Sequence, residues 1–355
     1  MERKSVSQAT RRLFEAVSVA VDDLMPPEWS AEVASRSSTG GTIRVTSPDD
    51  VSGEITVLVD DGLTPRGAVE LDEPEGPTLI AASWLSPRTR ELLDEIGVGY
   101  LDQTGNARLV VNRPGLLVRT QGAQRNPSPE PTKGPGLRGP KAWALMRTLV
   151  EVQPPYGVAD LARTVDADPG YTSKLLSALG DELLISRVPR GPVEHVEWES
   201  LLRQLATSYS LLDSNETTNW IASAGPDQFL RDLAAIKSRD WAVTGSFAAS
   251  ELVSVAAPEI AIVYADDPER LATLTRLRPV RNGANVVIAR PYARIVFDRT
   301  WERDGLTFAS LCQVAVDCLT GFGRMPQEGE ALLDWMRKRA PTWQAPSLSE
   351  AAALP

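Results

Sequence analysis

The chain has 355 residues, 42% of them hydrophobic and 24% charged, with a formal net charge of −10. This length allows two or three domains, and the composition is typical of a soluble globular protein. There is no run of about 18 apolar residues and no secretory signal pattern, so we expect a cytoplasmic protein without a membrane partner.

Cys312 and Cys318 lie six residues apart in an apolar run, and His195 is the only histidine. We therefore expect two buried thiols rather than a disulfide or a zinc site, and no chemistry based on paired histidines.

The negative charge is unevenly distributed along the chain. Residues 1–124 carry 12 basic and 19 acidic side chains, residues 125–206 carry 10 of each, and residues 207–355 carry 15 and 18. The central part is therefore the least acidic. This pattern favours a selective nucleic-acid binder over a protein that coats nucleic acid indiscriminately.

In residues 1–121, stretches with apolar residues at helical spacing are combined with short β-branched runs. This pattern predicts an α/β domain. Its most distinctive peptide, GYLDQTGN, places Asp102 and Asn106 on either side of a glycine, and we interpret it as a hairpin turn in which both side chains bond to backbone. The arrangement also resembles the restriction-endonuclease-like fold. The strand TLIAASWL has neither the Glu nor the Lys of that family's catalytic triplet, so the resemblance implies an inactive, endonuclease-like domain. Residues 122–139 hold four prolines and four glycines and predict a flexible linker.

Residues 140–206 have the pattern of a winged helix-turn-helix. Two amphipathic helices precede the peptide DADP, in which Asp168 is placed to cap a third helix and Pro169 to begin it. Two short β-branched runs around Pro189–Pro192 then predict a hairpin wing. If the third helix enters a major groove, its N-terminal residues face the bases. The candidate DNA-binding residues are Tyr171, Thr172, Ser173 and Lys174 on this helix, Arg187 and Arg190 on the wing, and Arg163 on the second helix. The alternative is a winged helix that binds only protein.

Residues 207–340 alternate strands, among them EIAIVYAD, NVVIA and RIVF, with helices, and residues 341–355 predict a frayed tail. The peptide TGSFAAS resembles the phosphate-binding turn of the nucleotidyltransferase fold, in which two carboxylates alternate on a later strand and bind metal ions. Here Glu259 is followed by Ala261 where the second carboxylate is needed. The resemblance implies a degenerate nucleotidyltransferase-like α/β domain with a vestigial ligand site at Gly245, Ser246 and Glu259 and no metal. The alternative is a strand–helix turn unrelated to that fold.

Three peptides together, GYLDQTGN, YTSKLLSAL and TGSFAAS, resemble the AbiEi-type antitoxins of type IV toxin–antitoxin pairs and related actinobacterial regulators. The resemblance implies a transcriptional regulator that represses by binding double-stranded DNA, with a nucleotidyltransferase toxin or another protein as a further partner. We expect no enzymatic activity and no cofactor. A non-catalytic adaptor is the alternative function, and the oligomeric state stays open, with a homodimer as one arrangement.

Overall fold

The structure is a computed structural model that describes residues 2–72, 74–124, 126–128, 139–188, 191–236 and 240–353. It is a mixed α/β protein with two seven-stranded sheets and one small hairpin. The chain divides into two compact units, one made of residues 1–132 and 181–183 and the other of residues 133–180 and 184–355. Within the described part of the chain, no helix combines the length and the apolar character needed to cross a membrane.

The first unit has one sheet whose seven strands lie in sequence order. Strands β1, β2 and β3 are antiparallel, β3, β4 and β5 are parallel, and β5, β6 and β7 are antiparallel. The parallel pairs need crossovers, which the two short helices provide. The elements are α1 Glu2–Asp23, β1 Ser30–Arg36, β2 Gly40–Thr46, β3 Ser52–Val59, α2 Pro65–Val69, β4 Thr78–Ala82, α3 Pro87–Glu95, β5 Gly99–Asp102, β6 Ala107–Val111 and β7 Leu116–Thr120.

Two apolar layers hold this sheet. One face packs against α1, whose Phe14 and Val21 are almost completely buried, and the other packs against α3, where Leu93 is fully buried. Both faces are therefore covered, which explains why β4 and β5 are buried along almost their whole length. The α/β class predicted for this region is confirmed.

The start of the predicted linker is part of this folded unit. Gly122 donates its backbone N–H to Asn106 Oδ1 at 2.9 Å, and the Ala123 carbonyl accepts from Trp84 Nε1 at 3.3 Å. The prediction of a linker is therefore wrong for residues 122–124, because their backbone groups satisfy buried polar side chains. Residues 125 and 129–138 lie outside the described residues.

The second unit begins with three helices and a hairpin in the winged helix-turn-helix order. A bridge between Tyr156 and Val193 adds a further backbone pairing beside the hairpin. The elements are α4 Pro140–Glu151, α5 Val158–Thr164, α6 Pro169–Asp181, β8 Ile185–Arg187, β9 Val193–Val196 and α7 Trp198–Ser208.

The rest of the second unit is a mixed sheet in the order β13-β10-β14-β12-β11-β16-β15, flanked by helices. The sequence predicts a strand over RIVF, but residues 294–297 form a 3-10 turn. The elements are β10 Glu216–Ile221, α8 Pro226–Ala234, β11 Trp241–Thr244, α9 Gly245–Ser250, β12 Ala261–Ala265, α10 Pro268–Leu274, β13 Arg278–Pro279, β14 Val286–Arg290, the 3-10 turn Arg294–Phe297, β15 Trp301–Arg303, β16 Leu306–Phe308, α11 Leu311–Leu319, α12 Met325–Arg339 and α13 Leu348–Ala353.

One continuous apolar core joins the winged helix to the sheet that follows it. Leu201 and Leu205 of α7 are buried in the same cluster as Leu149 of α4 and Val314 of α11. The boundary predicted at 206/207 therefore does not separate two compact units, because α7 contributes its apolar face to both sides.

The C-terminal residues are also packed, contrary to the predicted frayed tail. The Ala345 N–H donates to the Glu151 carbonyl at 2.8 Å, and Trp343 Nε1 donates to the Met336 carbonyl at 3.0 Å. The buried Ala345 and Ala351 explain why this alanine- and proline-rich segment is ordered over residues 341–353. Residues 354 and 355 lie outside the described residues.

Candidate nucleic-acid interface

The N-terminus of α6 is capped as the sequence predicts. Asp168 Oδ1 accepts the Tyr171 backbone N–H at 3.0 Å, and Pro169 occupies the first position of the helix. Just before it, Asp166 adopts a left-handed backbone with φ +48 and pairs with Lys141 of α4 at 2.9 Å. The hydrogen bond and the charge of Lys141 lower the pKa of the Asp166 carboxyl. The turn between α5 and α6 is thus held against α4 by this ion pair.

The four candidate residues on α6 have different exposures. Lys174 is exposed, Tyr171 and Ser173 are half-buried, and Thr172 is fully buried, with its hydroxyl donating to the Asp168 carbonyl at 3.0 Å. The prediction that Thr172 faces a ligand is therefore wrong. Its position is three residues before Leu175, which is also fully buried, and this spacing places both on the core side of the helix.

Two further exposed positions on α6 were not among the sequence candidates. Gly170 and Ser177 are exposed and lie four residues before and three residues after Lys174. At this spacing, the three residues share one face of the helix, opposite the buried leucines. The same helical period that identified the core could have identified them.

Strands β8 and β9 form the hairpin that the sequence predicts as a wing. Strand β8 pairs antiparallel with β9, with a shift in register at Arg187. Arg187 is half-buried, and its Nη1 has no hydrogen-bond partner among the described residues. Arg190 lies outside the described residues. Arg163 on α5 is exposed and forms a 3.1 Å ion pair with Asp160 three residues earlier.

A buried ion cluster joins the winged helix to the rest of the unit, and sequence reasoning missed it. Arg147 Nε donates to Glu151 Oε1 at 2.8 Å, Arg299 Nη1 lies 3.0 Å from Glu151 Oε2, and the Ser310 hydroxyl donates to Glu151 Oε1 at 2.6 Å. Arg147 also donates to the Ile295 carbonyl of the 3-10 turn. Two charged residues four apart in the apolar helix α4 were the available signal.

Two clefts meet at this cluster. One, of about 1030 Å³, runs along α4 and α5 past Lys141 and Arg163. The other, of about 710 Å³, is lined by Trp301 and Trp343. Glu151 and Arg299 line both clefts, so the cluster forms the wall between them.

The predicted vestigial site differs from the sequence prediction in the placement of Glu259 relative to the strand. Gly245, with φ +65, begins α9 after β11, and Ser246 is half-buried beside it. Glu259 is exposed and precedes β12, which begins only at the buried Ala261. The prediction that Glu259 and Ala261 alternate on one strand is wrong.

The buried carboxylate of this region is instead Asp317 on α11. Burial raises the pKa of its carboxyl to about 6, although four hydrogen bonds act in the opposite direction. These bonds come from Thr244 at 2.5 Å, Gln313 at 2.8 Å, and Tyr209 and Tyr264 at 2.9 Å each. All five groups are buried, so this network stabilises the core and joins α7 to β11, β12 and α11.

The Asp102 peptide of the first unit is a satisfied turn, which confirms the interpretation made from sequence. Asp102 Oδ1 accepts from the backbone N–H groups of Thr104 and Asn106, at 2.9 and 3.2 Å, and Oδ2 accepts from Leu85 at 3.1 Å. Asn106 Oδ1 accepts from Arg90 Nη1 at 2.5 Å. Asp102 is buried and its oxygens are occupied by donors of this chain, so the geometry fits a structural role.

No family of known proteins, no curated protein and no solved structure matches the chain. Over the described ranges, no three His, Cys, Asp or Glu side chains are placed to hold a metal ion.

Proposed function

We propose that this protein is a transcriptional regulator that binds double-stranded DNA selectively through its winged helix. One observation carries the proposal. Helix α6 has a capped N-terminus and an exposed face of Gly170, Lys174 and Ser177, which ends at the exposed Asp181 in the last turn, and buried leucines line the opposite face. A helix held in this way presents small and basic side chains, which fit a major groove and reach base edges or phosphates.

In this proposal, Lys174 contacts a phosphate or a guanine, and Ser177 and Ser173 contact base edges. Tyr171 contributes its exposed edge, and Arg187 and Arg190 of the wing follow the backbone beside the groove. The buried Arg147–Glu151–Arg299 cluster supports the interpretation, because it fixes the first helix of the module to a large core. A recognition helix on a rigid scaffold loses little conformational entropy when it binds.

The two flanking regions complete the proposal. The strand order of the first unit, with parallel strands between antiparallel ones, is compatible with an inactive endonuclease-like domain. The antiparallel pair β11 and β12, connected through α9, is compatible with a degenerate nucleotidyltransferase-like domain that carries out no transfer. We propose an antitoxin-like repressor in the cytoplasm, without a cofactor, whose protein partner is a nucleotidyltransferase toxin.

A second candidate function, the non-catalytic adaptor, is favoured by the charges of the winged helix. Residues 139–197 contain six basic side chains, against eight acidic ones. Lys141 and Arg163 are already paired with Asp166 and Asp160. A surface with so few available cations also suits a protein partner.

The test is binding of the full chain to its own promoter fragment and to a scrambled fragment of equal length, measured by fluorescence anisotropy. Lys174→Gln should weaken binding to the promoter, and Ser177→Ala should reduce the preference for the promoter over the scrambled fragment, by roughly 1–3 kcal/mol per lost base contact. Lys338→Gln, an exposed lysine on α12, is the matched charge control. Equal affinity of the wild-type protein for both fragments, or no binding to either, would favour the adaptor.

A further inference from the structure

The described part of the winged helix has few free cations for a DNA-binding module. Most of the affinity of proteins for DNA comes from Lys and Arg side chains that neutralise phosphates. Arg147 is buried against Glu151, and Lys141 and Arg163 are in ion pairs. In the described part of the module, Lys174 is the one exposed basic side chain without an ion-pair partner. Beyond Lys174 and the wing arginines, further phosphate contacts have to come from elsewhere in the protein.

Residues 268–297 are strongly basic within an acidic protein. They contain six arginines and a single acidic residue, Glu269, whereas the whole chain has a net charge of −10. This segment comprises α10, the edge strand β13, strand β14 and the 3-10 turn. It belongs to the same compact unit as α4, most of α6 and the wing.

Four of these arginines, Arg270 on α10 and three more around β13, are exposed and unpaired within the described ranges. Arg276, Arg278 and Arg281 have no ion-pair or hydrogen-bond partner for their side chains within the described ranges. By contrast, Arg290 lies 3.7 Å from Glu216, and Arg294 pairs with Asp266. Arg276, Arg278 and Arg281 lie within five residues of one another, a distance of at most about 18 Å along an extended chain. We call them the basic edge.

The position of the basic edge suits a backbone contact. Strand β13 is at the end of its sheet and pairs with β10, and among the described residues no strand pairs with its other side. Arg278 lies on this strand, Arg276 in the turn before it and Arg281 just after it. The guanidinium group presents planar donors that match phosphate oxygens, and it is less strongly hydrated than an ammonium group.

We propose that Arg276, Arg278 and Arg281 form a second DNA-contact surface, which binds backbone phosphates of the duplex whose bases α6 reads. The proposal rests on the proposed function. Two surfaces of one compact unit then have different roles. Helix α6 selects the DNA sequence, and the basic edge adds electrostatic affinity to that of the winged helix. An acidic protein surface is the competing occupant.

The experiment measures the salt dependence of promoter binding for the full chain. The wild-type protein is compared with the triple variant Arg276→Gln, Arg278→Gln, Arg281→Gln over a range of salt concentrations. Each lost phosphate contact lowers the slope of log K against log salt by about 0.9, so we expect a decrease of about two to three. The ratio of affinities for promoter and scrambled DNA should stay the same, because phosphate contacts carry no direct sequence information.

A matched triple variant removes the same charge from other exposed positions of the same unit: Arg231→Gln, Arg324→Gln, Lys338→Gln. Its slope should stay close to that of the wild type. A third variant, with Lys at the three basic-edge positions, should recover most of the slope. Thermal melting of each variant checks that the exposed substitutions leave the fold intact.

The outcomes separate this inference from the proposed function. If the wild-type protein binds no DNA, the proposed function itself fails. If the wild-type protein binds the promoter and the basic-edge variant keeps the wild-type slope of log K against log salt, the basic edge does not contact DNA. The proposal that α6 contacts the bases is then unaffected. Equal losses in both triple variants would assign the effect to net charge and overturn the proposal. An unchanged slope together with self-association would assign the arginines to protection of an open sheet edge.

Discussion

Glu151, in the last turn of α4, forms a 3.0 Å ion pair with Arg299, a residue 148 positions later in the chain. Both carboxylate oxygens of Glu151 are occupied, one by Arg147 and Ser310 and the other by Arg299. Only 5% of its side chain is exposed. Two cations and one anion are therefore removed from water together, and the group is stable only while the anion is present.

Replacing Glu151 should destabilise the second unit strongly. Glu151→Gln keeps the size of the side chain but leaves the buried Arg147 and the half-buried Arg299 without this counter-charge, which costs about 3–5 kcal/mol. The control is Glu330→Gln, which breaks an exposed pair with Arg203 at 2.7 Å and should cost no more than about 1 kcal/mol. Urea unfolding followed by tryptophan fluorescence measures both. Similar costs for the two variants would mean that the cluster does not hold the winged helix in place.

Asp317 should make the stability of the second unit depend on pH. Its carboxyl has a pKa of about 6 in the folded protein, against about 3.9 for an aspartate in an unfolded chain. Between these values the folded state holds more protons than the unfolded state, so the free energy of unfolding falls as the pH rises towards 6. Below about pH 4 the contribution of Asp317 is fully present, and above about pH 6 it is lost.

The measurement compares the wild-type protein with Asp317→Asn by urea unfolding at several pH values from 5 to 7. The difference in unfolding free energy between the two proteins should move against the wild type as the pH rises, because only the wild type loses a proton from this buried site. Other carboxylates titrate in both proteins and cancel in the difference. A difference that is constant with pH would show that Asp317 is already ionised at pH 5.

Much of the secondary structure was predictable because local chemistry determines it. Asp168 and Pro169 mark the start of α6, where Asp168 accepts a hydrogen bond from a residue nearby in sequence. The peptide from Asp102 to Asn106 forms a turn through a hydrogen bond of the same local kind. The errors have a different cause. The chemical type of Thr172 predicts a ligand contact, although its spacing from Leu175 places it in the core.

The remaining features depend on contacts between distant residues. The order of residues 341–353 comes from backbone bonds to the end of α4, some 190 positions earlier, which no local pattern encodes. The segment RIVF is β-branched and reads as a strand, yet its Ile295 carbonyl binds the Arg147 guanidinium in a 3-10 turn. The basic edge was visible in composition, but whether its arginines are paired depends on the fold.

The second unit should carry out no nucleotidyl transfer. Two-metal chemistry needs carboxylates that bridge ions about 4 Å apart. Glu259 is exposed ahead of β12, the buried Ala261 begins that strand, and Asp317 is enclosed by four hydrogen-bond donors. Asp317 therefore has its oxygens occupied by donors of this chain, and Ala261 supplies no carboxylate. The full chain should therefore transfer no label from nucleoside triphosphates, with magnesium or manganese, to RNA or protein acceptors.

The same assay is run on Glu259→Ala and on Glu269→Ala, an exposed glutamate of α10 that serves as the control. Transfer by the wild-type protein that disappears in Glu259→Ala but persists in Glu269→Ala would reverse the assignment and make this region an enzyme.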